Sequence, residues 1–217
     1  MALSGVRLRV EAGACQVEAT DGHRLAVTAV PTLAVEGRWP VLVPGDAVET
    51  LTALLPRCEE VALTVGEHAL EVDAGSVRVG LRLLEGPYPN TAAAVLEPAR
   101  RYTATARLSA RALAQAMRRA LLVAPPRSHP IRPTFEDGGL RVQAADAEGG
   151  EAEVAVPVAW PHAPVTVGLN GRYLLDWLGA VAVDEVVVGV RDGRAPLRWT
   201  EATAEPRAEY LVMPLRL

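Results

Sequence analysis

Asp21 and His23 stand two residues apart in Ala19-Thr20-Asp21-Gly22-His23-Arg24-Leu25, an acid and an imidazole close enough to serve a small hydrolase. Such a pair needs a nucleophile to activate. The chain has no GxSxG elbow, no GxxxxGK[ST] phosphate loop and no HExxH metal helix. Asp21 and Gly22 read more simply as a turn, the carboxylate bonding to the backbone ahead of it and the glycine supplying the bend. The histidines at 23, 68, 129 and 162 have no metal-ligand spacing, and Cys15 and Cys58 form no CxxC motif. No catalytic residue, metal or cofactor is expected. The two thiols read as small buried residues of a protein kept in a reducing compartment.

The elements that would position any site are strands interrupted by a few helices. Apolar and polar residues alternate in Val6-Arg7-Leu8-Arg9-Val10 and Cys15-Gln16-Val17-Glu18-Ala19. The pattern recurs at 61–65, 69–72, 77–83, 140–144, 153–158, 186–190 and 197–200, with Gly- and Asp-rich turns between neighbouring runs. Three amphipathic helices are expected. The first, 44–55, opens with Pro44 and carries Val48, Leu51 and Leu55 on one face. The second, 110–123, follows Ser109 as a cap and aligns Leu113, Met117, Ala120 and Leu121. The third, 171–181, follows Asn170 as a cap and aligns Leu174, Trp177, Leu178 and Val181. Their starts recur at intervals of about 60–65 residues, as an internal repeat would.

Each repeat reads as a strand (40–43, 102–107, 164–169), a helix, and then a three-stranded antiparallel ribbon. The class is α+β. The stretch before Pro40 holds only a ribbon. Glu97-Pro98-Ala99-Arg100-Arg101 reads as a polar joint, and the Pro-rich stretch 124–133 as an exposed connection.

All 22 basic residues are arginine, against 26 acidic ones, for a net charge of −4. A chain gripping nucleic acid over its whole surface would be basic, so any DNA contact must use a local basic face. Half the residues are apolar, yet no run nears the roughly 18 that a bilayer requires, and MALSGVRLRV lacks a signal-peptide core. A soluble, cytoplasmic protein with no membrane contact is expected.

The octapeptide from Ala19 to Ala26 resembles the signature of the bacterial sliding clamp, the beta subunit of DNA polymerase III. Four more blocks follow in the family's order: Val41-Leu42-Val43-Pro44, Arg82-Leu83-Leu84-Glu85-Gly86-Pro87-Tyr88-Pro89, Leu169-Asn170-Gly171-Arg172-Tyr173-Leu174-Leu175-Asp176 and the terminus Tyr210-Leu211-Val212-Met213-Pro214-Leu215-Arg216-Leu217. The blocks cover the chain from end to end. The resemblance implies the DNA-clamp fold, with 1–98 as a middle domain lacking its first strand and helix and 99–217 as a C-terminal domain. Nothing here resembles the family's first domain.

The resemblance further implies a non-catalytic replication or repair protein that binds clamp-interacting motifs of polymerase, clamp-loader or repair partners. In the family that pocket lies between the middle and third domains. Its residues here would be Leu3, Thr20, Gly22, His23, Arg24, Leu25, Pro89, Asn170, Tyr173, Leu211, Val212, Met213, Pro214 and Arg216. Leu25, Pro89, Leu211 and Met213 would supply an apolar floor, and His23, Arg24 and Asn170 a polar rim. Small residues at Ala92, Ala93, Ala94 and Ser128 depart from the family's bulkier pattern, which reduces the area each partner anchor can bury. Weak, non-specific duplex DNA contact would fall to Arg111, Arg118, Arg119 and Arg172, whereas Asp46 and Glu49 on the first helix oppose phosphate. The alternative is a processivity clamp that encircles DNA through an atypical oligomer. The ribbon 6–30, bared of its covering helix, would form a homodimer.

Overall fold

The computed structural model describes residues 2–11, 13–34, 39–55 and 60–216. Cys58 and Leu217 lie outside them. The chain divides into two compact units, Met1–Pro89 and Asn90–Leu217.

In the first unit, a 3-10 turn (Ala2–Ser4) leads into β1 (Gly5–Glu11), β2 (Ala14–Thr20) and β3 (Arg24–Pro31), and then β4 (Val41–Pro44). These pair antiparallel in the order β4-β1-β2-β3, with Leu8 opposite both Val17 and Val41. Helix α1 (Gly45–Leu54) follows β4 directly, with Pro44 in the capping position and no side chain closing the end. A three-stranded ribbon completes the unit: β5 (Ala62–Val65), β6 (Ala69–Asp73) and β7 (Arg78–Arg82), in the order β5-β6-β7. Alternation decides which face is dry. Leu70 and Val72 are buried while Ala69 and Glu71 are exposed. Val48 and Leu51 of α1 pack on Val43, Leu70 and Val72, and Leu8 reaches the same cluster.

The ribbon face expected to lie bare is therefore partly covered. Leu8 is packed and Cys15 is buried, whereas Val30 and Leu33 are exposed.

The second unit opens with a π-helical stretch (Ala92–Leu96) running into the single turn α2 (Glu97–Ala99). The expected polar joint at 97–101 is thus helical over 97–99, with Leu96 and Ala99 buried. Strand β8 (Ala104–Ser109) feeds α3 (Ala110–Ala120), where the Ser109 hydroxyl accepts from Ala112 N at 3.3 Å. Then come β9 (Pro130–Glu136), β10 (Gly139–Ala145), β11 (Glu151–Val156), the short β12 (Val165–Thr166) and β13 (Leu169–Asn170), and α4 (Gly171–Ala180). The ribbon β14 (Glu185–Val190), β15 (Leu197–Glu201) and β16 (Ala208–Val212) closes the chain.

Within this unit one sheet runs β16-β15-β14-β8 and the other β11-β10-β9-β12, with β13 also on β9. Leu113 and Met117 of α3, Phe135, Leu174 and Trp199 are 0–1% exposed at the centre of one core. The Trp177 and Tyr210 rings stack at 5.7 Å.

The Pro-rich stretch is not a connection to its end. From Pro130 it is a strand, with Ile131 and Pro133 buried. A proline cannot donate to a ladder. The Pro133 carbonyl accepts from Val167 N at 3.0 Å, so the missing N–H faces the same partner. Pairing with β9 stops at Thr166 and resumes at Leu169. The gap sits opposite Pro133, and this is why the strand expected over 164–169 is two short pieces.

Candidate functional site

The turn between β2 and β3 is built by its own side chains. Thr20 Oγ1 donates to the Arg24 carbonyl at 2.7 Å and accepts from Gly22 N at 3.1 Å. Asp21 Oδ1 accepts from His23 N and Arg24 N at 2.9 and 3.0 Å, and Oδ2 accepts from Arg24 Nε at 2.8 Å. Burial pushes the Asp21 carboxyl up, but these amides and the Arg24 guanidinium outweigh it and hold the group below the usual carboxylate range. Asp21 is thus committed to the turn and poorly suited to act as a base. Gly22 has φ +88° with nothing near where a Cβ would stand, so the glycine is required by the backbone and not by space. The outcome is a rigid corner with an exposed His23, and with Leu25 buried at its foot, paired with Thr20.

Sequence reasoning missed what lies under Tyr88-Pro89. Glu18, only 1% exposed, takes the Arg7 guanidinium, whose Nε donates at 3.1 Å, and Arg9 stands 3.9 Å from its other oxygen. Arg7 also lies over the Tyr88 ring at 4.5 Å, and the Tyr88 hydroxyl donates to the Glu18 carbonyl at 3.3 Å. Burial, helped by the Glu18 charge and opposed by Arg7, pushes the Tyr88 phenol up to about 12. The cluster fixes the segment that ends in the exposed Pro89. Alternating arginines on β1 facing an acid on β2 were the available signal; the partner 70 residues away was not. Leu3 projects from the opening turn, 44% exposed.

In the second unit the C-terminal segment is held at several points. Leu211 and Val212 are fully buried on β16, opposite Arg198 and Leu197. Met213 emerges, 37% exposed, followed by a half-buried Pro214 and an exposed Arg216. Leu215 N donates to the Gly168 carbonyl at 2.7 Å, and the Tyr210 hydroxyl to the Tyr173 carbonyl at 2.9 Å. These bonds bring the start of α4 beside the tail. Asn170 caps that helix, its Oδ1 accepting from Arg172 N at 2.9 Å. In the second unit Leu211 and Val212 therefore lie buried behind the tail, whose accessible apolar area comes from Met213 and Pro214.

Arg111, Arg118 and Arg119 are exposed on α3, the last two in its final turn, where cations also complement the helix dipole. Arg172 is exposed and pairs with Asp176 at 3.3 Å. Asp46 and Glu49 are exposed on α1. Among the described residues no group of three His, Cys, Asp or Glu is placed to hold a metal, and no helix is long and apolar enough to cross a membrane.

The two units coincide with two matched family models. Residues 1–90 match the central domain of the DNA polymerase III beta subunit, and residues 98–216 match its C-terminal domain. The chain belongs to the DNA polymerase III beta subunit family. Curated relatives include the beta sliding clamps of Vibrio cholerae, 28% identical over 216 residues, and Pseudomonas aeruginosa, 29% identical over 217. The alignments take in 99% of this chain and 58% of either relative. Among solved structures, the P. aeruginosa clamp bound to griselimycin superposes with a TM-score of 0.92 at 28% identity, covering 100% of this chain and 58% of that one. A Caulobacter crescentus clamp does so at 0.88 and 25%, covering 100% of this chain and 59% of the other. The fold is the α+β clamp fold, and the family is that of the sliding clamps of DNA replication.

Proposed function

We propose that this chain is a non-catalytic clamp-family protein that captures linear clamp-binding motifs of replication and repair partners. The supporting observation is the pairing of chemistry and rigidity in two segments. The corner at 20–25 offers His23 and Arg24 on a backbone fixed by five local bonds. The tail offers Met213 and Pro214 on a backbone fixed by β16 and by the Leu215–Gly168 bond. Rigid presentation lowers the ordering cost that an extended peptide must overcome. A thioether at the accessible apolar position adapts to different anchors, as suits a site serving several partners.

DNA contact is secondary in this reading. Arg111, Arg118 and Arg119 offer a local, sequence-blind phosphate contact that Asp46 and Glu49 do not share.

Fluorescence anisotropy with a labelled Gln-x-x-Leu-x-Phe peptide tests the proposal. Binding is expected for the parent, with loss on removing residues 213–217. A flat titration of the folded parent at high protein concentration contradicts it.

A further inference from the structure

Within the first unit, residues of the proposed capture surface sit on the opening turn with Leu3, on the corner from Thr20 to Leu25, and on the stretch that ends at Pro89. The turn and the corner are placed by the β1–β2 ladder, in which Arg7 stands opposite Glu18. The last stretch has no ladder. Leu83 N donates to the His68 carbonyl at 2.9 Å and Leu84 N to the Leu42 carbonyl at 2.8 Å. Beyond Leu84, no backbone–backbone hydrogen bond among the described residues ties 85–89 to a strand. Gly86 stands at φ +125° with nothing within 4 Å of where a Cβ would be, and Pro87 is exposed. Side chains must therefore hold this stretch. Glu85 meets His68 at 2.9 Å, but the two side chains are 79% and 63% exposed, and such a pair holds little. Tyr88 is the stronger tie. It is half-buried, its ring lies 4.5 Å from the Arg7 guanidinium, and its hydroxyl donates to the Glu18 carbonyl at 3.3 Å. Arg7 cannot swing away from the ring, because the buried Glu18 carboxylate binds its guanidinium through Nε and Nη2.

We infer that Tyr88 is a positioning residue for peptide capture: held by Arg7 and by the Glu18 carbonyl, it fixes where Pro89 stands relative to the 20–25 corner. Glu18 lies just ahead of Thr20 and Arg7 just after Leu3, so one cluster ties together every first-unit segment of the surface. Tyr88 acts without touching the peptide. It orders Pro89 in advance, and the peptide is spared the cost of ordering 85–89 as it binds. The corner needs no such help, since its own local bonds hold it. Loosening Tyr88 therefore acts on Pro89 and leaves His23 and Arg24 in place. This inference rests on the peptide-capture reading and adds to it the residue on which the placing of Pro89 depends.

Anisotropy with the labelled Gln-x-x-Leu-x-Phe peptide, paired with amide NMR relaxation of the free and peptide-saturated protein, tests it. Tyr88→Ala is expected to weaken binding by about threefold to tenfold. Its order parameters at residues 85, 86 and 88 fall in the free protein and recover on saturation with peptide. Tyr88→Phe keeps the ring beneath Arg7 and stays within about twofold of the parent. Arg7→Lys leaves the buried Glu18 charge paired, which spares folding, but lacks the flat guanidinium that covers the ring, and weakens binding by about threefold. A role in stability alone would lower the melting temperature of Tyr88→Ala and leave the affinity and order of the folded protein unchanged. A parent that does not bind the peptide contradicts the capture reading, and this inference with it. A parent that binds, with Tyr88→Ala and Arg7→Lys binding equally well, overturns this inference alone. So does a Tyr88→Phe protein that binds as weakly as Tyr88→Ala, or unchanged order at 85–88 in the free Tyr88→Ala protein.

Discussion

Gly22→Ala isolates the backbone logic of the corner. At φ +88° an alanine is strained by about 1–2 kcal/mol. Nothing lies within 4 Å of the added Cβ, so no clash adds to that figure and no contact offsets it. Alanine also narrows the unfolded ensemble, which returns about 0.4–1 kcal/mol. The net expectation is a loss of about 0.5–1 kcal/mol, smaller for Gly22→Asn because asparagine tolerates this conformation. Gly179→Ala is the control. It too has nothing within 4 Å, but it lies in α4 with no positive φ, and it should gain about 0.5–1 kcal/mol from helix propensity. One substitution type should therefore shift the urea midpoint in opposite directions at the two sites. A Gly22→Ala protein as stable as the parent, or more so, refutes the reasoning about the corner.

Other outcomes follow from the same contacts. Met213→Ala removes accessible apolar area at the tail and should weaken peptide binding by about 1–2 kcal/mol with an unchanged melt, read by calorimetric titration; equal affinity would remove Met213 from the site. Burial pushes the Glu209 carboxyl up, yet Arg100 and Arg198 outweigh it and hold the group below its ordinary value. Its contribution to stability is thus complete at neutral pH and is lost as the pH falls below about 4.3 and through the lower folded value. Glu209→Gln should be less stable at pH 7 and lose less on acidification, measured as the urea midpoint from pH 7 to 3. Arg118→Ala and Arg119→Ala should each reduce the salt slope of duplex DNA binding by about one. An unchanged slope would exclude both as phosphate contacts.

Much of the fold was legible because its cues are local. Ser109 and Asn170 announce helix starts with the side chains that cap them, and Leu70 and Val72 alternate with Ala69 and Glu71 as a half-buried strand must. Thr20, Asp21 and Gly22 are all within reach of the turn they build. The strand at Pro130–Glu136 was not legible, because proline argues against a ladder and what excuses Pro133 is a break at 167–168, set by pairing across the sheet. The Arg7–Glu18–Tyr88 cluster was hidden for the same reason. Within the candidate site, residue type alone could not separate Leu211 and Val212, which are buried, from Met213, which is not. That difference comes from the end of β16, where the tail leaves the sheet.

Residue-resolved amide NMR during titration with a Gln-x-x-Leu-x-Phe peptide bears most directly on capture by two segments together. Shifts are expected at residues 22–24 and at 213–216 (excepting Pro214), with one shared midpoint. Shifts confined to one segment, or two separate midpoints, would contradict it.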